Sequence, residues 1–345
     1  MGDEFRDFTL AAVQAAPVYL DRDASIDKAC ALIEQAGAQG ADLAVFGETW
    51  VSGYASFIRI ADHPATRKAY RQFMANGVRV PSPATDALCA AAKRAGVDVA
   101  IGVAERDSTT DGTIYCTLLF IGREGKIIGK HRKLKPTFWE RAVWGEGDGS
   151  SLRVYERPYG RLGGLNCWEH QMVLPGYALI AQGVQVHAAA WPGGTFTRQM
   201  VLSRAFAMQA TAYVVMAGGL LRTQDIPEEY REVVMECNGE SGIIGPDGDL
   251  LAGPLLNEEG ILTARANLGH VLTRKLIADH AGHYTRPDVF DFRVNRSPKR
   301  IATFIDEERE EAARDGLNGG IDRGEIRNEA ELRGAFEDLA TEVGG

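Results

Sequence analysis

The run Asp42-Leu43-Ala44-Val45-Phe46 is apolar at every position after the aspartate and too short to be a helix. A continuous apolar run of that length reads as a strand covered on both faces, which demands one layer of structure above it and another below. Phe8 to Ala15, Val97 to Ala104, Arg161 to Leu165, Val184 to Ala189, Tyr213 to Ala217 and Ile261 to Ala266 also read as strands. Between them apolar residues recur at helical spacing. Ile26, Ala29, Cys30 and Ile33 follow Ser25 as cap; Leu88, Ala91, Ala92 and Ala95 are closed by Gly96; Val201, Ala205, Met208 and Ala212 follow Thr195 or Thr197. Residues 62 to 77 read as a more polar helix. Short strands, intervening helices and glycine-rich turns predict an α/β fold, a layered sandwich.

Two passages resemble each other. Ile114 to Ile121 and Lys126 to His131 predict a hairpin around Glu124-Gly125, and Ser241 to Gly245 with Leu250 to Pro254 predicts another around Asp247-Gly248. Residues 119–128 align with 242–251, which suggests a single domain built from two pseudo-symmetric halves. After Phe292 the chain becomes rich in Arg, Glu and Asp with few large apolar groups. Residues 1–292 are therefore expected to form the domain, and 293–345 a charged tail that is mobile or makes an oligomer contact.

Composition narrows the class of activity. The net charge of −9 argues against a nucleic-acid or anionic-membrane surface, since such binding depends on clustered Lys and Arg. No leader-like segment opens the chain and no stretch approaches the roughly 20 apolar residues that span a bilayer, so a cytoplasmic protein is expected. Cys30, Cys89, Cys116, Cys167 and Cys237 are odd in number and widely separated, as reduced thiols would be. Cys30, Cys89 and Cys116 read as small apolar filler in helices and a strand.

Three stretches carry candidate chemistry. Cys167 falls between a strand ending near Leu165 and a helix predicted from His170 to Gln182, a turn that would present a nucleophile and free backbone N–H groups. The helix N-terminus would favour its thiolate, although the turn alone fits a buried core cysteine equally well. Glu48 lies just past the carboxyl end of the 42–46 strand, either as a solvated loop residue or as a base in a pocket walled by Trp50 and Tyr54, its pKa raised by burial. Lys130-His131-Arg132-Lys133-Leu134-Lys135-Pro136 is either a solvated face, a phosphate site, or a strand end that turns one lysine inward to stabilise an oxyanion.

Glutamate, lysine and cysteine in that order, each at the end of a strand, resemble the catalytic set of the nitrilase superfamily of carbon–nitrogen hydrolases. The resemblance runs from about residue 8 to about residue 292. It rests on Phe46-Gly47-Glu48-Thr49-Trp50, on His131-Arg132-Lys133-Leu134-Lys135-Pro136-Thr137 with Glu140-Arg141, on Asn166-Cys167-Trp168-Glu169-His170, and on Gly282-His283-Tyr284-Thr285-Arg286-Pro287-Asp288. Trp168-Glu169-His170 after the cysteine is similar to the nitrilase branch. The resemblance implies an αββα sandwich that pairs into a four-layer dimer or larger homo-oligomer, and hydrolysis of a nitrile to an acid and ammonia with neither metal nor organic cofactor. It also implies roles. Cys167 would be the nucleophile, Glu48 the base, Lys133 the stabilising cation and Glu140 a second, positioning glutamate. Tyr54, Trp168, Trp191 and Glu169 would line the substrate or oxyanion side, with Glu169 as outer support and the Trp168 N–H as an oxyanion donor.

His170 is read as structural, not as the base of a Cys–His pair, and His280 with His283 as structural because no third metal ligand is apparent. An amidase using the same groups and a non-catalytic assembly protein on the same fold are the alternatives. Where many nitrilases carry Pro-Gly-Tyr-Pro after the glutamate, this chain has Ser52-Gly53-Tyr54-Ala55, which leaves the nitrile class open.

Overall fold

Strand β1 (Asp7–Gln14) shows how this sequence makes layers. Successive side chains of a strand point to opposite faces. Leu10 and Ala12 enter the core between two sheets, whereas Ala11 and Val13 enter the core under a pair of helices. The neighbouring β2 (Leu43–Phe46) does the same: Leu43 and Val45 face the other sheet, Ala44 and Phe46 the helices. Both faces of the apolar run are covered, as its composition requires. A computed structural model describes residues 4–194, 196–299 and 301–302.

The helices over the first sheet are α1 (Arg22–Ala38) and α3 (Pro83–Ala95); α2 (Pro64–Ala75) packs instead against the turns at Ser56–Arg59 and Glu228–Tyr230, contributing Ala69 and Phe73 to a separate apolar cluster. Strands β1, β2 and β3 (Asp98–Arg106) run parallel. Beyond β3 the antiparallel pair β4 (Ile114–Gly122) and β5 (Lys126–Arg132) completes that side. The second sheet repeats the plan. After β6 (Tyr155–Arg157), strands β7 (Gly160–Asn166), β8 (Val186–Trp191) and β9 (Tyr213–Gly218) are parallel, with α4 (Val173–Ile180) and α5 (Phe196–Ala210) covering them. The short β10 (Leu220–Leu221) leads to β11 (Cys237–Ile244) and β12 (Leu250–Leu256), and β11 pairs antiparallel with β9. Finally β13 (Gly260–Asn267) crosses back to pair with β1 along its whole length, before α6 (Leu268–Lys275).

The result is an αββα sandwich, one domain with two related halves. The two similar passages occupy equivalent places: 119–128 spans the β4–β5 turn and 242–251 the β11–β12 turn.

Several expectations need correction. Asp21, not Ser25, caps α1 by accepting from Ala24 N–H (3.1 Å), and Ser25 is buried with its hydroxyl on the Val18 carbonyl (3.0 Å). The helix expected over 170–182 is two elements, a five-residue 3-10 turn at Cys167–Gln171 and then α4. Pro175 accounts for the break. In a helix starting at His170 it would sit in the interior without an N–H to donate, whereas from Val173 it lies in the first turn, where that donor is not needed. Helix α5 already runs from Phe196, so Thr197 lies inside it, and Thr195 lies outside the described residues. Its phase also differs: Ser203, Phe206, Ala207 and Ala210 are buried, while Val201 and Met208 are exposed. Past Gly218 no α-helix separates β9 from β12, so the second half ends in antiparallel strands.

The compact unit extends to Pro298. Phe292 packs edge-on against Tyr177 (5.0 Å), Val294 joins the core beneath α4 and α5, and Arg296 donates to the Leu152 carbonyl (3.3 Å), so 293–298 belong with the domain. Residues 303–345, most of the expected tail, lie outside the described residues. The phase of α5 predicts that Phe206→Ala costs about 3–5 kcal/mol by denaturant titration, several times the loss for Met208→Ala.

Candidate active site

Three strand ends deliver Glu48, Lys133 and Cys167 to one place. Glu48 follows β2 by two residues, and its backbone N–H donates to the Trp191 carbonyl at the end of β8 (3.1 Å), tying the two sheets together at that point. The loop lies so close to β3 that a Cβ on Gly102 would come within 2.2 Å of the Gly47 oxygen. Lys133 follows β5, with its N–H on the Cys116 carbonyl (2.8 Å). Strand alternation explains why one cation of the basic run turns inward. His131 and Lys133 point to the buried side, while Lys130 and Arg132 point the other way and pair with Glu105. The run is therefore not a free phosphate-binding face.

Cys167 follows β7 with φ +49°, a left-handed conformation that costs a non-glycine residue about 1–3 kcal/mol. The Cys167 side chain is buried, and the Trp168 backbone N–H beside it favours the ionised sulfur.

Lys133 is fully buried. Its Nζ donates to Glu48 Oε1 (2.7 Å) and to Glu140 Oε2 (2.8 Å), and lies 5.3 Å from the centre of the Trp144 ring. Glu140 Oε2 also accepts from Thr137 N–H (2.6 Å), and Oε1 accepts from the Tyr54 hydroxyl (2.6 Å). The Cys167 sulfur and a carboxylate oxygen of each glutamate lie within 4.8 Å of one another. That spacing would suit a metal ion by distance alone, but the Lys133 ammonium already holds both carboxylates.

One ammonium shared by two buried carboxylates leaves the cluster short of positive charge. Glu48 shows it: burial first, and Glu140 in addition, raise its pKa to about 7 against the pull of Lys133. For Lys133 burial is the largest influence and acts to lower its pKa, yet Cys167, Glu48 and Glu140 together overcome it and hold the ammonium charged. Burial and then the Glu48 charge push the Cys167 thiol well above its ordinary range, with Lys133 opposing. This runs against the expectation that a helix N-terminus favours the thiolate. The lysine is already engaged by two anions and the turn after Cys167 is a single 3-10 segment, so the isolated site favours the thiol.

Glu169 lies behind the cysteine and spans two segments. Its Oε1 accepts from Leu134 N–H (2.7 Å) and its Oε2 from Asn166 N–H (2.9 Å), while His131 Nε2 lies 3.0 Å from Oε2. One carboxylate thus fixes the segment after Lys133 to the segment before Cys167. His170 does not reach the sulfur. Its Nδ1–H donates to the Cys167 carbonyl (2.7 Å), so Nε2 must accept, and His187 Nε2 donates to it (2.9 Å). Burial lowers the His170 pKa to about 4, which keeps the pair neutral.

The remaining expected residues divide. Tyr54 and Trp50 do wall a small cavity beside Glu48, with Leu220, Leu221, Met235 and Cys237 on its other sides. Trp168 is half-buried, with the Arg198 guanidinium 5.9 Å above its ring. Trp191 turns its indole away toward α5, donating to Ser203 Oγ (3.2 Å), and it is the backbone carbonyl of Trp191 that serves Glu48. His280 is held against the Gln209 carbonyl and His283 packs edge-on against Tyr284. Sequence reasoning missed Cys116, whose sulfur is 3.2 Å from Glu48 Oε1, and the histidines His131 and His187. Alternation along β5 from Lys133 would have found His131; nothing local to Cys116 or His187 points to the site.

Glu169 yields a stability prediction. Although burial alone would raise its pKa, His131 and two backbone N–H groups hold it below the ordinary glutamate value, so its stabilisation is present above that value and is lost as pH falls through the folded pKa. Glu169→Ala also leaves buried donors unpaired, and is expected to cost about 2–5 kcal/mol at pH 7 by urea titration. The gap from the parent chain should narrow in acid.

Residues 9–273 match the family model described as carbon–nitrogen hydrolase. A protein named Nitrilase 2 from an unknown prokaryotic organism is 53% identical over 308 residues, covering 88% of this chain and 97% of that relative. The aliphatic nitrilase of Rhodococcus rhodochrous is 36% identical over 307 residues, covering 84% and 83%. Among solved structures, Saccharomyces cerevisiae Nit3, a member of branch 10 of the nitrilase superfamily, superposes with a TM-score of 0.66 at 20% identity, covering 81% of this chain and 97% of that one. With its αββα sandwich and a family match over most of its length, the chain belongs to the carbon–nitrogen hydrolase family and is an enzyme of the nitrilase superfamily.

Proposed function

We propose that the protein is a nitrilase that converts an organic nitrile to its carboxylic acid and ammonia through a covalent bond to Cys167. The observation that carries this reading is the buried cluster in which Lys133 bridges Glu48 and Glu140 beside the Cys167 sulfur. Relatives named nitrilases support the choice of substrate.

Glu48 takes the thiol proton as sulfur attacks the nitrile carbon and hands it to the nitrile nitrogen, which gives a thioimidate and returns Glu48 to its ionised form. A water adds to that carbon with Glu48 as base, giving a tetrahedral intermediate whose charge Lys133 and the Trp168 N–H stabilise. Nitrogen takes the proton that Glu48 drew from the water and the proton of the added hydroxyl, the C–N bond breaks, ammonia leaves and a thioester remains. A second water, again deprotonated by Glu48, hydrolyses the thioester, and the sulfur recovers its proton. Glu140, held by Tyr54 and Thr137, keeps Lys133 in place throughout.

Ammonia release across nitrile and amide panels tests the reading: turnover of nitriles is expected, and turnover of amides alone would assign the protein to the amidase alternative. Cys167→Ala should abolish turnover and the covalent adduct seen by intact mass with a slow nitrile. Because the base must be ionised, activity should fall as pH drops through about 7, the value at which Glu48 titrates. Lys133→Met should lower kcat by at least about 100-fold.

Val173 and Leu174 on α4, with Leu272 on α6 and Leu276 and Ile277 just after it, are exposed apolar side chains and support assembly into a homo-oligomer. Light scattering is expected to give a particle of at least twice the 37.5 kDa chain, and a monomer at micromolar concentration would remove this part of the proposal.

A further inference from the structure

Cys116 sits inside the cluster, and the steps above give it no part. It is fully buried on β4, and it touches both partners of the central ion pair. Its carbonyl accepts the Lys133 backbone N–H (2.8 Å), and its sulfur lies 3.2 Å from Glu48 Oε1. An ionised carboxylate only accepts, so in this contact the thiol is the donor. Oε1 also accepts from Lys133 Nζ (2.7 Å), whereas Oε2 is buried without a partner. The two oxygens of one carboxylate therefore stand in different states. Oε1 is engaged by two donors, and Oε2 is open.

Resting on the hydrolase mechanism proposed above, we propose that Cys116 is a positioning residue: its thiol, with Lys133, holds Oε1 of Glu48, so that Oε2 alone exchanges protons with Cys167 and with water. A side chain acting as filler would need no polar atom here, and the contact is made to the one carboxylate that must move protons. The groups facing Glu48 from the surrounding elements are Lys133 and Cys116 as donors, Glu140 as a like charge, and Cys167, Tyr54 and Cys237, whose own ionisation its charge opposes. The thiol hydrogen bond favours the ionised form of Glu48. Without it, Glu48 should become a base only at higher pH.

The experiment compares the parent enzyme with Cys116→Ala, Cys116→Val and Cys116→Ser in two readouts. The first is the pH profile of kcat/KM on whichever nitrile or amide is turned over. The second needs no turnover: the pH dependence of Cys167 alkylation by iodoacetamide, followed by peptide mapping. In both, the acid inflection of the Ala and Val variants should move up by about 0.5 pH unit, the scale of a weak S–H donor lost from a charged acceptor, while the Ser variant, which keeps a donor, should return to or below the parent's position. Profiles of all three variants that superpose on the parent would overturn the proposal and leave Cys116 as filler. A Ser variant displaced upward as far as Ala would overturn it too, because shape and not the hydrogen bond would then be at work. If no nitrile or amide is hydrolysed at all, the functional reading fails, and the alkylation profile still decides the role of Cys116.

Discussion

Lys133 carries a full positive charge on a fully buried side chain, and a lone ammonium there would cost several kcal/mol relative to solvent. Glu48 and Glu140 offset that cost, each accepting from the same Nζ. The dependence runs both ways, since two buried carboxylates this close would repel one another without the cation between them. Each neighbour is then fixed in turn: Glu140 by Tyr54 and Thr137, Glu48 by Cys116 and the Trp191 carbonyl, Lys133 by the carbonyl of Cys116. Removing the Lys133 charge would leave two carboxylates buried and unpaired. The rigidity of the site is thus a consequence of its electrostatics as much as of its packing.

The sandwich makes this cluster affordable by bringing ends of both sheets to one edge. Glu48 and Lys133 come from the first half and Cys167 from the second, and they meet where the Glu48 N–H reaches across to β8. Small residues permit the approach. Gly102 lets the backbone of Gly47 to Thr49 pass at distances no Cβ would tolerate, and Glu169 then bridges the two segments from behind. The layers themselves arise from alternation in short apolar strands, so the pattern that buries the core also aims the reactive groups.

Much of this was legible in the residues. The run 42–46 implied cover on both faces, and the two matching hairpins implied related halves, because burial and turn formation are local demands written in local sequence. Glu48, Lys133 and Cys167 could be singled out since each follows a strand and each sits in a family motif. What escaped was whatever depended on distant partners. Cys116 reads as filler from its neighbours, and only the fold brings Glu48 against it, 68 residues away in sequence. Trp191 was expected to line the substrate or oxyanion side; its indole packs toward α5 and its carbonyl serves Glu48. The single helix expected after the cysteine broke because Pro175 tolerates a first turn and not an interior, a local rule that outweighed apolar periodicity. The α5 stripe was misplaced by about one residue in phase, which alanine-rich helices allow because small side chains fit on either side of a buried face.

The charges also bear on how a thiol held well above its ordinary pKa can serve as a nucleophile. In the resting cluster Lys133 is committed to two anions, so little of its field is left for sulfur, and Cys167 keeps its proton. On the proposed mechanism the thiol proton moves to Glu48, whose affinity for it is already raised to about 7 by burial and by Glu140. That single transfer removes one anion beside Lys133 and creates another on the sulfur, leaving the total charge of the cluster unchanged. The ammonium released from Glu48 then faces a thiolate, and next the negative charge that develops as the substrate carbon is attacked. A thiolate formed in advance would have to be stabilised before substrate arrived, by a lysine already committed to two carboxylates. Coupling the proton shift to attack confines that cost to the moment when a new bond offsets it, and this is why a raised carboxylate and a raised thiol belong together here.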